Sequence, residues 1–408
     1  MLYDDFNSFI VNNKYHLMKK HFIYWILILL PVFSFGQIKS LEENTGQQPL
    51  IPTPKLALLK DVDIIFNTRM AFDNYFVDGN HTNSLFSMNQ FRLEVKGKIH
   101  DKIFFRFRNR YTKIPDPNTA DNINRSVDMA YLVFDVTPQA KFSFGKMIGD
   151  WGGYELLTNP IEILSYNTIN NTADNFLVGA AFSFALEDKK NIFNIQVLNS
   201  RTKTFQDQYA ANLPSGIELS EMPLVAVVNW KGHLFDNKLE TTYSYSFFND
   251  AKNAKGNYVS LGNKFKANKL VLYYDFQYSK EDLDRKFIVT NIIKSKYAYA
   301  AEDVSYVENW IRAEYMIRPK VNLLLTIMNS CAYWNGNPDT NHKSNLLKSY
   351  GVIPTIEYSP FSDINLKFYA GYIAKKNNYS NYAQNTFNAV DGTTGQISFG
   401  IIAPLLVL

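Results

Sequence analysis

The sequence predicts an all-β protein: a single transmembrane β-barrel of sixteen antiparallel strands, with short periplasmic turns and long extracellular loops. Three observations predict it. Phe, Tyr and Trp make up 15% of the 408 residues, with 31 Phe and 26 Tyr, although 20% are charged. Mean hydropathy is only -0.21. A barrel needs aromatic girdles at both interfaces and alternates apolar with polar residues, which combines these properties. Beyond Gln37 no run approaches the roughly 18 consecutive apolar residues of a spanning helix, so residence in a bilayer requires strands. Finally, segments of period-two alternation follow one another almost without break.

At the N-terminus, residues 18–36 read MKKHFIYWILILLPVFSFG: two lysines, an apolar run from Phe22, Pro31, then small residues before Gln37. This is the pattern of a secretory signal peptide cleaved between Gly36 and Gln37. A retained anchor is the alternative, but Phe22 to Phe35 falls short of the roughly 20 residues a spanning helix needs. The lysines directly follow Met18, which points to the true start there and leaves residues 1–17 as a start-site artefact or a disordered lead. Residues 37–60, with Pro49, Pro52 and Pro54, read as an irregular periplasmic lead-in to a barrel over 61–408.

The strands are expected near Ile65, Val95, Phe107, Tyr131, Phe142, Phe182, Ile195, Val227, Tyr243, Leu261, Tyr274, Ile311, Leu325, Ile353, Phe368 and Phe399. In the first, Ile64, Phe66, Met70 and Phe72 share one face and Asp63, Asn67 and Arg69 the other. Connections alternate. Short ones fall at His100-Asp101, 137–139, 187–190, 232–237, 266–268, 318–320 and 359–363; long ones include 113–124, 148–174, 200–221, 280–303 and 334–346. A soluble sandwich could show the same period but has no reason to keep that parity. KFIVTNIIKSK, at 286–296, is assigned to a loop, with a strand as the alternative. The lipid face should carry Phe66, Phe105, Phe107, Tyr243, Tyr245, Phe247, Tyr274, Phe276 and Phe368. Pro404 cannot donate to a ladder, so either the last strand stops near Ala403 or the terminal strand is atypical.

Chemistry is sparse. The single cysteine, Cys331, can form neither an intrachain disulfide nor a metal cluster, and no HExxH or P-loop occurs. His100 and His233 are placed in short turns, His81 and His342 in long loops, so no strand offers a fixed base for a serine hydrolase. Neither cofactor nor metal is expected, and the net charge of +4 argues against a nucleic-acid partner. Arg69, Arg92, Lys96, Lys98, Arg106, Arg108 and Arg110 form a basic row opposite the apolar faces of the first three strands. Arg106, Arg108 and Arg110 alternate, spacing their side chains roughly 6.6–7 Å apart along one wall. Such a row either draws anions into a wet lumen or is ordinary lumen polarity neutralised by Glu94 and other acids.

The connection 148–174, GKMIGDWGGYELLTNPIEILSYNTINNTAD from Gly145, combines Gly149, Gly152 and Gly153 with Trp151, Tyr154, Leu156 and Ile163. It could fold inward and narrow a pore, with Asp150, Trp151, Tyr154, Glu155 and Glu162 at the constriction, or remain an ordinary external loop.

With WGGYE and NPIEILSYN leading into DNFLVGAAF, the chain resembles porins of the Bacteroidetes type, related to the phosphate-selective porin O and P family. The resemblance spans the mature chain and concentrates in that segment. It implies a homotrimer of sixteen-stranded outer-membrane barrels with a constricting third loop and a basic lumen passing small polar solutes, phosphate or other anions among them. Asp150, Glu155, Glu162 and Asp174 depart from a dense basic cluster, which counts against strict phosphate specificity. A barrel-based adhesin or outer-membrane enzyme is the alternative. Mild anion preference is expected.

Overall fold

The computed structural model describes residues 61–341 and 344–407; the expected signal peptide, the lead-in and His342 lie outside them. Sixteen strands follow in order: β1 Val62–Val77, β2 Asn80–His100, β3 Ile103–Arg110, β4 Val127–Asp135, β5 Ala140–Ile148, β6 Phe176–Ala185, β7 Asn191–Asn199, β8 Leu224–Leu234, β9 Leu239–Phe248, β10 Gly256–Ala267, β11 Leu270–Leu283, β12 Glu302–Arg318, β13 Val321–Trp334, β14 Asn345–Tyr358, β15 Lys367–Tyr379 and β16 Gly392–Leu406. Each pairs antiparallel with its sequence neighbours, and β1 with β16 closes the barrel. Closure removes sheet edges that lipid could not solvate. All sixteen expected centres fall in separate strands. The segment 286–296 is a loop carrying a short helix, Ile288–Ile293, with Val289, Ile292 and Ile293 buried.

At one end of the barrel the connections are tight, from two residues (101–102, 268–269, 319–320) to the eight of 359–366. At the other most are long, the exceptions being the first and the seven residues of 249–255. Residues expected to lie between the first two strands continue both, and Asp78 (φ 49) and Gly79 (φ 81) close a two-residue turn. Positive φ at both positions matches the right-handed twist of the flanking strands. From Asn80 to Gln90, β2 pairs with β1 alone, leaving Phe86 86% exposed.

Three histidine placements are corrected, and of the two alternatives for the last strand the one ending near Ala403 is set aside. His100 ends β2, His233 lies within β8 and His81 within β2, so these histidines are on strands. β16 runs through Pro404 to Leu406; Pro404 faces the lumen opposite Asn67, and the ladder resumes beyond it.

The two faces separate by period. The nine expected lipid-face aromatics all point outward, Tyr245, Phe247, Tyr274 and Phe368 being 38–49% exposed. Inside, packing is supplied by loops, not by a second sheet. One apolar cluster joins Trp151 and Leu156 to Met147, Leu198, Val227 and Phe248; another joins Ile163 to Trp310, Met328 and Ile353.

Candidate functional site

The connection 149–175 turns into the lumen, and the side chains that fix it come from most of the barrel's circumference. It contains two short helices, α1 Tyr154–Leu157 and α2 Thr168–Thr172. Asp150 pairs with Lys231 of β8 at 3.2 Å, and its N–H donates to Gln196 of β7 at 2.8 Å. Trp151 is buried, 5.5 Å from Phe248. At Gly153 the loop presses against the far wall: a Cβ there would lie 2.2 Å from the Asp275 carboxyl carbon. Asp275, on β11, accepts the N–H groups of Tyr154 and Glu155 at 2.9 and 2.7 Å. The Glu155 carboxylate is itself buried, accepting the Asn167 N–H (2.6 Å) and Asn170 Nδ2 (2.5 Å). Burial pushes its pKa up to about 7.

Farther along, Arg69 of β1 donates to the carbonyls of Ile161 (3.1 Å) and Ile163 (2.6 Å). Glu162 pairs with Lys367 of β15 at 2.9 Å while its carbonyl accepts from Arg312 of β12. Lys375 of β15 donates to the Tyr166 carbonyl at 3.0 Å, and Glu308 of β12 accepts the Ile169 N–H at 2.5 Å. The loop thereby fills the lumen beside β10–β15.

What remains open is a cavity of about 710 Å³ between this loop and the β2–β3 wall. Its lining extends from Lys96 and Pro404, towards the tight-turn end, to Arg201, Tyr209 and Phe287 among the long loops. The basic side chains at its surface are Arg92, Lys96, Arg106, Arg108, Arg110, Lys113, Arg125, Arg201, Lys203, Arg285 and Lys286; the acidic ones are Glu94 and Asp174. Eleven cations face two carboxylates. Low-dielectric walls lined by one sign of charge focus the potential.

The cations are held by acids placed behind them. Asp128 of β4, fully buried, lies 3.7 Å from Arg92, 3.6 Å from Arg108 and 2.7 Å from Arg110. Glu94 holds Arg106 at 2.7 Å. Nearer the loops Asp250 contacts Arg201 at 2.6 Å and also Arg285, whose guanidinium lies 4.2 Å from the Phe248 ring. Glu281 likewise holds Lys286. Burial, and then the neighbouring Arg110, pushes Lys113 down to about 8; burial and Arg201 push Arg285 down to about 9.

Against the sequence expectation, five of the seven row residues line the cavity: Arg92, Lys96, Arg106, Arg108 and Arg110. Arg69 does not, being covered by the loop it anchors, and Lys98 sits exposed at the tight-turn rim. Asp150, Trp151, Tyr154, Glu155 and Glu162 are also absent from the lining. They dock the loop, and its surface towards the cavity is made by Leu156 to Pro160, Tyr166 and residues 170–175. The sequence reading missed Lys113, Arg125, Arg201, Lys203, Arg285 and Lys286, all on long connections, and Asp128.

His81 Nε2 lies 2.7 Å from Ser84 Oγ on the exposed part of β2. Ser84 donates its proton to Asn74 Oδ1 at 2.8 Å, so the imidazole nitrogen is a donor here and does not act as base to that serine. No group of His, Cys, Asp and Glu among the described residues could hold a metal ion.

No curated protein sequence matches the chain. Several solved structures share its fold. The outer membrane channel DcaP of Acinetobacter baumannii superposes with a TM-score of 0.56 at 10% identity, covering 84% of this chain and 98% of its own. OmpT, an outer membrane protein of Vibrio cholerae, gives 0.53 at 11% identity, covering 84% and 97%. An anion-selective porin from Comamonas acidovorans gives 0.53 at 9% identity, covering 84% and 98%. The profile of the family described as phosphate-selective porin O and P matches residues 63–401. With a closed sixteen-stranded barrel around a polar cavity, the chain belongs to the phosphate-selective porin O and P family and is an outer-membrane channel for solutes.

Proposed function

We propose that the channel passes small anions, phosphate among them, by diffusion and without a catalytic step. The observation that carries this reading is the lining of eleven basic against two acidic side chains. The acids of the inward loop do not offset it: Asp150 and Glu162 are paired to other walls, Glu155 is buried within the loop, and only Asp174 reaches the cavity. Field focusing of this kind favours anions throughout the lumen and weakens with salt, since the screening length is about 10 Å at 0.1 M and about 3 Å at 1 M.

The reading extends to assembly and export. A homotrimer is supported by the family resemblance and by the low wall of β3–β7, strands of 8–10 residues, beside the arm of β2 that exposes Leu85, Phe86 and Met88. The 18–36 segment would direct export and be cleaved. The decisive experiment is the reversal potential of reconstituted protein under a chloride gradient, with phosphate then added to test for block. Anion preference is expected, moving towards cations when Arg106, Arg108 and Arg110 are all changed to Ser. A cation-selective wild type would overturn the proposal.

A further inference from the structure

The outer wall is not uniformly filled. Across β14–β16 a hollow of about 530 Å³ lies between Tyr350, Val352, Tyr372, Ala374 and Ile397, with Phe76 of β1 at its side. Tyr372 and Ile397 also border a second, of about 790 Å³, reaching towards the tight-turn end past Pro354, Ile356 and Phe399. The two adjoin at Tyr372 and Ile397, and together they form an apolar slot along the wall. Its depth has a local cause. Val352 pairs with Ala374 and Thr355 with Gly371, but Ile353 and Pro354 between them have no β15 partner. Proline has no N–H for the ladder, and Ala370, Ala374 and Gly395 put little bulk on the outer face here.

At the long-loop end two lysines stand over this slot. Lys348 and Lys376 are exposed on the outward faces of β14 and β15. Lys348 lies opposite Asn378 and Tyr350 opposite Lys376, so the lysines are diagonal neighbours, roughly 7–8 Å apart at the backbone. Among the described residues neither has a carboxylate within salt-bridge distance. Asp78, on the adjoining turn, has its Oδ1 engaged by the Thr393 N–H at 2.7 Å and hydroxyl at 3.3 Å.

We propose that this face is a lipid seat: the slot takes an acyl chain of an anionic phospholipid and Lys348 with Lys376 binds its phosphate. The two halves of the site differ in the way the two ends of such a molecule differ. A second copy of the chain would bury two ammonium groups and must bring carboxylates to meet them, because unpaired buried charge is costly. A phosphorylated lipid brings an anion at the height of the lysines and hydrocarbon at the depth of the slot. Lysines near an anionic membrane surface contribute about 1 kcal/mol each, or roughly fivefold in affinity.

The test uses the full barrel in detergent, titrated with phosphatidylglycerol, phosphatidylcholine or inorganic phosphate. Bound lipid is counted by native mass spectrometry, and heat-modifiable migration verifies folding. Phosphatidylglycerol should be retained over phosphatidylcholine. The double change Lys348→Gln and Lys376→Gln should lower its affinity about 30-fold, the product of two such steps, with the barrel still folded. Ala374→Leu, which fills the slot, should expel either lipid. Equal retention of both lipids by the wild type, or unchanged retention by the double variant, overturns the proposal. Competition by inorganic phosphate as strong as by the lipid makes it a free-anion site and overturns it too. If Ala374→Leu changes the oligomeric mass and leaves lipid counts unchanged, the slot is a contact between copies and the proposal fails.

Discussion

Asp275 accepts the backbone N–H groups of Tyr154 and Glu155, some 120 residues earlier in the chain, through one buried carboxylate. This pair of bonds ties the start of the inward loop to the wall opposite the strand it leaves. Gly153 precedes them because no side chain fits between the loop and that carboxylate.

Changing Asp275→Ala should release this end of the loop. Hydrogen bonds to charged groups contribute about 1.5–3 kcal/mol each, so a stability loss of about 3 kcal/mol is expected, with larger and noisier single-channel currents. Gly153→Ala displaces the same carboxylate and should give the same noise. Planar-bilayer recording checks both, and quiet wild-type currents from Asp275→Ala would show that the remaining anchors suffice.

The strands were legible because a period of two survives in nearly every one, and all sixteen centres fall in separate strands. The full reach of β2 is not legible because NHTNSLFSMNQ, its start, is largely polar on both faces, so alternation is lost where the strand stands free of β3. His100 and His233 lie one and two residues short of the turns expected to hold them, where polar strand ends and turns have the same composition. In the lumen, alternation put Arg92, Arg106, Arg108 and Arg110 on the inward face. It could not say that Arg69 would be capped by carbonyls 92 and 94 residues away. Nor could it tell which loop cations, such as Arg201 and Arg285, fold back over the cavity. Those positions depend on tertiary contacts with Asp250 that leave no local pattern.

Asp128 partly neutralises three arginines, so Asp128→Asn should make the channel more anion-selective. The gain in reversal potential should come with a stability loss of about 2 kcal/mol, because a buried carboxylate with charged partners is replaced by a neutral amide. Asp135→Asn, whose carboxylate pairs with Lys141 outside the cavity, serves as the control and should leave selectivity unchanged. Equal reversal potentials for the wild type and Asp128→Asn would mean that the row does not set the field.

Selectivity should also decline with rising pH. Lys113 loses its proton around pH 8, so the lining loses positive charge between pH 7 and 9. With chloride as the anion, the reversal potential should move towards zero over that interval. Lys113→Arg should remove the part of the change centred near pH 8. A flat wild-type profile would refute the assignment.

Stability has its own pH dependence through Glu155. Its pKa in the folded protein is about 7, against 4.5 for the free side chain, and burial is the main cause. A raised pKa means that the folded state favours the protonated form. The contribution is therefore fully present below about pH 4.5 and is lost as the pH rises through 7, to an upper bound of about 3 kcal/mol. The thermal midpoint in detergent should fall between pH 5 and pH 8. Glu155→Gln cannot ionise, and its amide oxygen can still accept the Asn167 N–H, so its midpoint should change less over the same range. If wild type and Glu155→Gln give parallel curves, the buried carboxylate does not titrate in this interval and other groups carry the dependence.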